Sequence, residues 1–116
     1  MTILIVEDDS TCAAYVEALV TKMGEACVKV DSTREALVVL GGGHIAGVLC
    51  DLVLETGSGL EVAKAARAMG IPVVFGTSTD DDQNTTLMHE YGFVLRKPIR
   101  MNGLARAIEY FKWAGK

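Results

Sequence analysis

The residues of this 116-residue chain best suited to charged-group chemistry are the acidic turn Glu7-Asp8-Asp9, then Asp51, Thr77 and Lys97. Carboxylates a few ångströms apart raise one another's pKa and are costly unless a cation neutralises them. By itself the turn supports two readings. It could be an acidic helix start, where negative side chains complement the helix dipole, or half of a divalent-cation site that needs a ligand from elsewhere. Asp51 is a candidate for that ligand. Mg2+ is a hard, oxygen-seeking cation, usually held by one or two carboxylates, waters and a phosphate oxygen. A carboxylate can also act as the nucleophile that accepts a phosphoryl group. A lysine and a hydroxyl then stabilise charge on the equatorial oxygens. Glu7, Asp8, Asp51, Thr77 and Lys97 therefore form a sensible set for phosphoryl transfer. Neither His44 nor His89 is placed with them, so nothing suits acyl transfer.

Each of these residues ends or follows an apolar run of strand length. Thr2-Ile3-Leu4-Ile5-Val6 runs into the acidic turn, and Ala26-Cys27-Val28-Lys29-Val30 reads as a second strand. A third lies within Ile45 to Leu54, where Val48-Leu49-Cys50 meets Asp51. Ile71 to Gly76 is the fourth, with Pro72 near its start, where a missing donor is tolerated. Phe93-Val94-Leu95 leads to Arg96-Lys97-Pro98 as the fifth. Helical patterns fall between them. After a cap at Asp9 or Ser10, Val16, Leu19, Val20 and Met23 form an apolar stripe that Gly24 ends. Ser32 and Glu35 have capping-box spacing, and the helix they open stops at Gly41-Gly42-Gly43. Those glycines follow a helix and precede no Lys-Ser/Thr pair, so they are a stop and not a phosphate loop. Glu55 to Gly59 is a loop by composition. Leu60, Ala63 and Ala66 mark a helix ended by Gly70. Asp80-Asp81-Asp82 opens a polar helix ending near Gly92, and as a helix start it reads as a dipole partner. The last helix follows Asn102, with Leu104, Ile108 and Phe111 on one face.

Strands alternating with helices on short connections predict an α/β fold with a parallel sheet covered on both faces. Right-handed crossovers make it doubly wound. Function in such sheets sits at the carboxyl ends of the strands, near the switch point of strand order. The length suits one domain spanning residues 1–116. A net charge of −4 argues against nucleic acid as a partner. No apolar run approaches membrane-spanning length and no signal peptide is present, so a cytoplasmic location without membrane contact is expected. Cys12, Cys27 and Cys50 are too few and scattered for a disulfide framework or a zinc site. Cys27 and Cys50 lie in apolar runs and read as core.

With these positions assigned, the sequence resembles the receiver domain of bacterial two-component response regulators over essentially its whole length. The match rests on Ile5-Val6-Glu7-Asp8-Asp9, on Asp51 with Gly59 eight residues on, on Pro72 with Thr77 five residues on, and on Lys97-Pro98. The resemblance implies a five-stranded (βα)5 flavodoxin-like sheet in the order 2-1-3-4-5. It implies that Asp51 accepts a phosphoryl group from a sensor histidine kinase or phosphotransfer protein. Asp8 and Asp51 would bind Mg2+ directly, Glu7 through water and Val53 through its backbone carbonyl. Thr77 and Lys97 would bind the phosphoryl oxygens, and the bond before Pro98 would be cis. Three departures stand out. Glu55 replaces a frequent proline, Ser78 a small apolar residue, and Val94 the aromatic that usually lies three residues before the lysine. A subset of stand-alone receivers is similar in lacking that ring and in carrying a segment like Phe75-Gly76-Thr77-Ser78. The expectation is a single-domain response regulator that catalyses only its own phosphoryl transfer and dephosphorylation. Its output would be contact with a downstream protein or removal of phosphoryl groups from a shared kinase. The alternatives are a Mg2+-dependent phosphohydrolase with an aspartyl nucleophile, or a protein-binding receiver that works without phosphorylation. Val53, where such a hydrolase would need a second acid, counts against the former.

Overall fold

Five short segments pair side by side because their backbone groups need a neighbouring strand, and the central ones are too apolar to leave in water. The computed structural model describes residues 1–51, 53–54, 57–77 and 92–114. Its strands are β1 (Thr2–Val6), β2 (Ala26–Val30), β3 (Gly47–Asp51), β4 (Val73–Thr77) and β5 (Gly92–Arg96). All pair in parallel, in the order β2-β1-β3-β4-β5. The expected doubly wound topology is therefore present. The central strands β1, β3 and β4 are buried almost throughout, whereas β2, at an edge, is mostly exposed.

Helices α1 (Ser10–Lys22), α2 (Thr33–Gly41), α3 (Gly59–Ala68) and α4 (Met101–Ala114) cover the two faces. Helices α2 and α3 lie over one face, where Leu40, Val62, Ala63 and Ala66 pack on Leu4, Val48 and Phe75. Helices α1 and α4 lie over the other, where Val16, Val20, Leu104, Ile108 and Phe111 meet Ile3, Ile5, Leu49 and Val74. The caps follow from side-chain chemistry. Asp9 accepts from the Thr11 and Cys12 amides at 2.9 and 3.1 Å, and Ser32 Oγ accepts from the Glu35 amide at 3.1 Å. Gly24 and Gly70 take positive φ of 85° and 74° just after α1 and α3, a conformation glycine adopts without a Cβ penalty.

Several boundaries differ from the sequence reading. The third strand ends at Asp51, and Val53–Leu54 turns back to pair antiparallel with Gly57–Ser58, so part of the expected loop is hydrogen-bonded. The fourth strand begins after Pro72, whose carbonyl accepts from Val48 N–H at 3.0 Å. Helix α4 starts at Met101, ahead of Asn102, because the Arg100 carbonyl already accepts from Leu104 N–H at 2.9 Å. The helix expected from Asp80 towards Gly92 lies outside the described residues, as do Glu55, Ser78 and His89. Among the described residues, no helix is long and apolar enough to cross a membrane.

Strand β3 passes under α4 at Gly47, where an added Cβ would overlap the ring of Phe111, itself only 2% exposed. The ring or the strand must shift to admit a methyl group. Gly47→Ala should lower stability by about 1–3 kcal/mol through overpacking, read as a lower urea midpoint with an unchanged m-value. Gly41→Ala, where nothing lies within 4 Å, should leave the midpoint unchanged or raise it.

Candidate functional site

The sheet register brings the polar strand ends level. Val6 lies opposite Cys50, Asp51 opposite Gly76, and Thr77 opposite Arg96. The residues just past these pairs therefore meet at one edge. Pairing continues beyond the strands: Glu7 N–H donates to the Val30 carbonyl at 3.1 Å and Lys97 N–H to the Thr77 carbonyl at 2.8 Å. The second bond ties Lys97 directly to Thr77, whose side chain is buried.

Glu7, Asp8 and Asp51 each place a carboxylate oxygen within 4.8 Å of the others. Lys97 joins two of them, with Nζ 2.6 Å from Glu7 Oε2 and 3.3 Å from Asp51 Oδ2. The other oxygen of Glu7 accepts from Asp9 N–H at 3.1 Å. Glu7, only 6% exposed, is thereby fixed at both oxygens. Burial by itself would lower the pKa of Lys97. The hydrogen bond to Glu7 and the charges of Asp51 and Glu7 outweigh it and hold the pKa above the ordinary lysine value. A raised lysine pKa adds stability that is present at neutral pH and is lost only as pH climbs through the folded-state value, above the usual lysine range.

Two small residues make room for this arrangement. A Cβ on Gly76 would lie 3.1 Å from Ile99 Cδ1, a tight contact, and 3.6 Å from Lys97 Cε, an ordinary one, so the absent side chain makes room for Ile99 beside the lysine stem. A Cβ on Gly59 would collide with the Asp51 carbonyl, so glycine lets α3 approach the end of β3. Cys50 Sγ lies beside the same carbonyl, donating to it at 3.2 Å. Burial, followed by the charges of Asp51 and Glu7, pushes this thiol's pKa far up and leaves it protonated. Sequence reading gave Gly76 and Cys50 no role of their own at the site. The signal for Gly76 was available, because a glycine inside an apolar strand often marks a close approach.

Of the residues expected to act, Glu7, Asp8, Asp51 and Lys97 come together, and Thr77 adjoins them at the end of β4. Asp9 separates from the group as the cap of α1. Val53 lies two residues beyond Asp51, opposite Ser58 in the short antiparallel pair. The peptide bond between Lys97 and Pro98 is cis, as expected. His44 sits in the loop between α2 and β3 with φ 73°, away from this edge.

The family model described as "Response regulator receiver domain" matches residues 3–109. The chain belongs to the response regulator receiver family. Solved structures similar to this receiver include a response regulator receiver domain (CheY-like) from Methylobacillus flagellatus. That structure is 27% identical with a TM-score of 0.85, covering 96% of this chain and 98% of the other. A two-component response regulator from Clostridium difficile aligns at 18% identity and TM-score 0.86, covering 97% and 95%. The receiver domain of a sensor histidine kinase from Pseudomonas aeruginosa, described with a magnesium ion coordinated in its active-site cleft, aligns at 21% and 0.84, covering 99% and 98%. None of the curated proteins matches the chain. In this receiver, Val94 is half-buried against the α2–α3 cluster, and its neighbour Leu95 is buried on the other face. The position where an aromatic is usual thus carries an aliphatic side chain packed towards the core.

Removing the ammonium leaves Glu7 and Asp51 facing each other at low exposure. Lys97→Met should cost about 3 kcal/mol, measured by urea unfolding in a chelator at neutral pH. Thiol reagents at mildly alkaline pH should modify Cys12 and Cys27, which are partly exposed, while Cys50 reacts only at the rate of unfolding.

Proposed function

We propose that this receiver is a phosphoacceptor of histidine-to-aspartate signalling, with Asp51 as the residue phosphorylated. The observation that carries the reading is the meeting of Glu7, Asp8 and Asp51 within 4.8 Å, with Lys97 bridging Glu7 and Asp51, at the carboxyl edge of a receiver sheet. The donor set fits Mg2+. It offers only hard oxygen atoms, and three carboxylates against one ammonium leave the described cluster negative. Asp8 and Asp51 would hold the ion directly, Glu7 through water, and Val53 through its carbonyl. Bound there, the ion would neutralise charge on the incoming phosphoryl oxygens.

The remaining chemistry belongs to the chain. A carboxylate oxygen of Asp51 attacks the phosphorus of a phosphohistidine on a sensor histidine kinase or phosphotransfer protein. The P–N bond breaks, and the imidazole leaves and takes up a proton. Lys97, held by its backbone bond to Thr77, turns its ammonium from Asp51 towards the phosphoryl group. The Thr77 hydroxyl donates to another phosphoryl oxygen. Gly59 and Gly76 contribute by leaving the close approaches open. The protein catalyses only this transfer and its later hydrolysis, acting as a switch and not as an enzyme with a separate substrate. Phosphorylation biases a pre-existing equilibrium, since the new group competes for Lys97 and Thr77 and so contacts the two states differently. A downstream protein reads that shift.

Asp51→Asn should abolish Mg2+-dependent labelling by acetyl phosphate, while Asp9→Asn, which retains a cap, should still label to wild-type stoichiometry. Mass spectrometry of the intact protein reads both. Stoichiometric labelling of the Asp51→Asn variant would falsify the assignment.

A further inference from the structure

Strand β2 ends the sheet with one side open. Ala26 N–H donates to the Met1 carbonyl at 3.2 Å and the Val30 carbonyl accepts from Glu7 N–H at 3.1 Å, so Ala26, Val28 and Val30 turn their backbone groups towards β1. By the alternation of a strand, the N–H and C=O of Cys27 and Lys29 face the other way. Among the described residues no strand pairs with them. Open edges are usually guarded by a charged side chain held out into solvent. Lys29, the one charged residue of β2, instead folds back on Glu17 of α1, with Nζ 3.1 Å from Oε1. Apolar surface lies beside the edge. Val28 is 37% exposed, and Leu37 and Val38 of α2 are 40% and 71% exposed. A groove of about 490 Å³ lies between Val30 and the Val38-Val39 turn of that helix.

This edge is complementary to itself. Antiparallel pairing of β2 with its own copy, about a two-fold axis at Val28, sets Cys27 opposite Lys29 of the second copy as a pair that exchanges two hydrogen bonds. Every outward N–H and C=O of the two residues is then satisfied. Val28 meets Val28 of the second copy in the position without hydrogen bonds, where side chains lie closest, and Ala26 meets Val30. One face of the junction is therefore apolar. The other carries the charges. Glu17 Oε1 holds Lys29, while Oε2 lies 3.9 Å from Cys27 Sγ. Lys29 of the second copy, arriving opposite Cys27, comes to that second oxygen, so lysine and glutamate alternate across the axis. Moving the axis to Cys27 would set Lys29 against Glu25 instead. Glu25 is already engaged, its N–H by the Val20 carbonyl and its carboxylate by the N-terminal ammonium at 3.2 Å. The same ammonium offsets the approach of Glu25 to Asp31 of the second copy at the ends of the junction. A strand of another protein could use the backbone groups, but the match of valine to valine and of Lys29 to Glu17 about one axis is specific to a second copy. We infer that the chain forms a two-fold dimer through β2, joining two sheets edge to edge, with Val28 on the axis and the Glu17–Lys29 pairs shared across it. The carboxyl edge holding Asp51 stays open in this dimer, and the inference does not depend on Asp51 accepting a phosphoryl group.

Sedimentation equilibrium of the whole unphosphorylated chain, from low micromolar to about 1 mM, should show the mass rising from monomer to dimer and no further, because the pairing uses up the open edge. Amide exchange at Cys27 and Lys29 should slow as concentration rises. Val28→Glu sets two like charges opposite each other on the axis and should weaken dimerisation about tenfold or more. Glu17→Lys should also weaken it, and adding Lys29→Glu, which restores opposite charges across the junction, should recover it. Thermal melts of each variant in dilute solution report folding. The charge-swapped pair alters only surface side chains, so it decides the question even if Val28→Glu fails to fold. A monomer at every concentration, growth to larger species, or a dimer indifferent to Val28→Glu would each overturn the proposal. So would failure of the charge swap to restore the dimer, or a dimer in which the Cys27 and Lys29 amides exchange as fast as in the monomer.

Discussion

The contact on which the site depends is Lys97 between Glu7 and Asp51. Two carboxylates at low exposure, with a third beside them, would repel one another and lose hydration without compensation. A single ammonium 2.6 Å from one and 3.3 Å from another makes the arrangement tolerable. It does not neutralise it. The residual negative charge is what the proposed cation would neutralise, and in the proposed transfer the lysine is the group that an incoming phosphoryl oxygen would recruit.

The sheet exists, in functional terms, to make that contact. Glu7 and Lys97 are separated by 90 positions in sequence. They meet because β1 and β5 run parallel, with β3 and β4 between them in matched register. A one-residue slip at any pairing would carry Asp51 or Thr77 to the wrong face. Burial on both faces of the central strands resists such a slip. The stability of the two apolar clusters is thereby the same thing as the precision of the site. Gly47, Gly59 and Gly76 serve both, each standing where a methyl group would push against the Phe111 ring, the Asp51 carbonyl or the Ile99 side chain.

Much of this was legible in the residues. Unbroken apolar runs identified strands buried on both faces. The polar residue ending each run identified the functional edge, because a charge at the end of a core strand is placed there at a cost. Helix starts at Asp9 and Ser32 and stops at Gly24 and Gly70 followed from capping chemistry. Less legible were boundaries set by partners distant in sequence. The turn-back of Val53–Leu54 onto Gly57–Ser58 involves no periodic signal, and the last helix, expected after Asn102, already begins at Met101, with the Arg100 carbonyl accepting from Leu104 N–H.

The sequence by itself determined the element types, the parallel class of the sheet and the identity of the acidic, hydroxyl and basic residues at its edge. Those follow from local chemistry: periodicity, capping and the cost of exposing or burying each side chain. Tertiary structure decided which charges touch. It brought Asp51 to Glu7 and Asp8, and it set Lys97 on Glu7 as well as on Asp51. Charge pairing depends on distances of a few ångströms between residues far apart in the chain, and only the packed register of β1, β3, β4 and β5 specifies those distances.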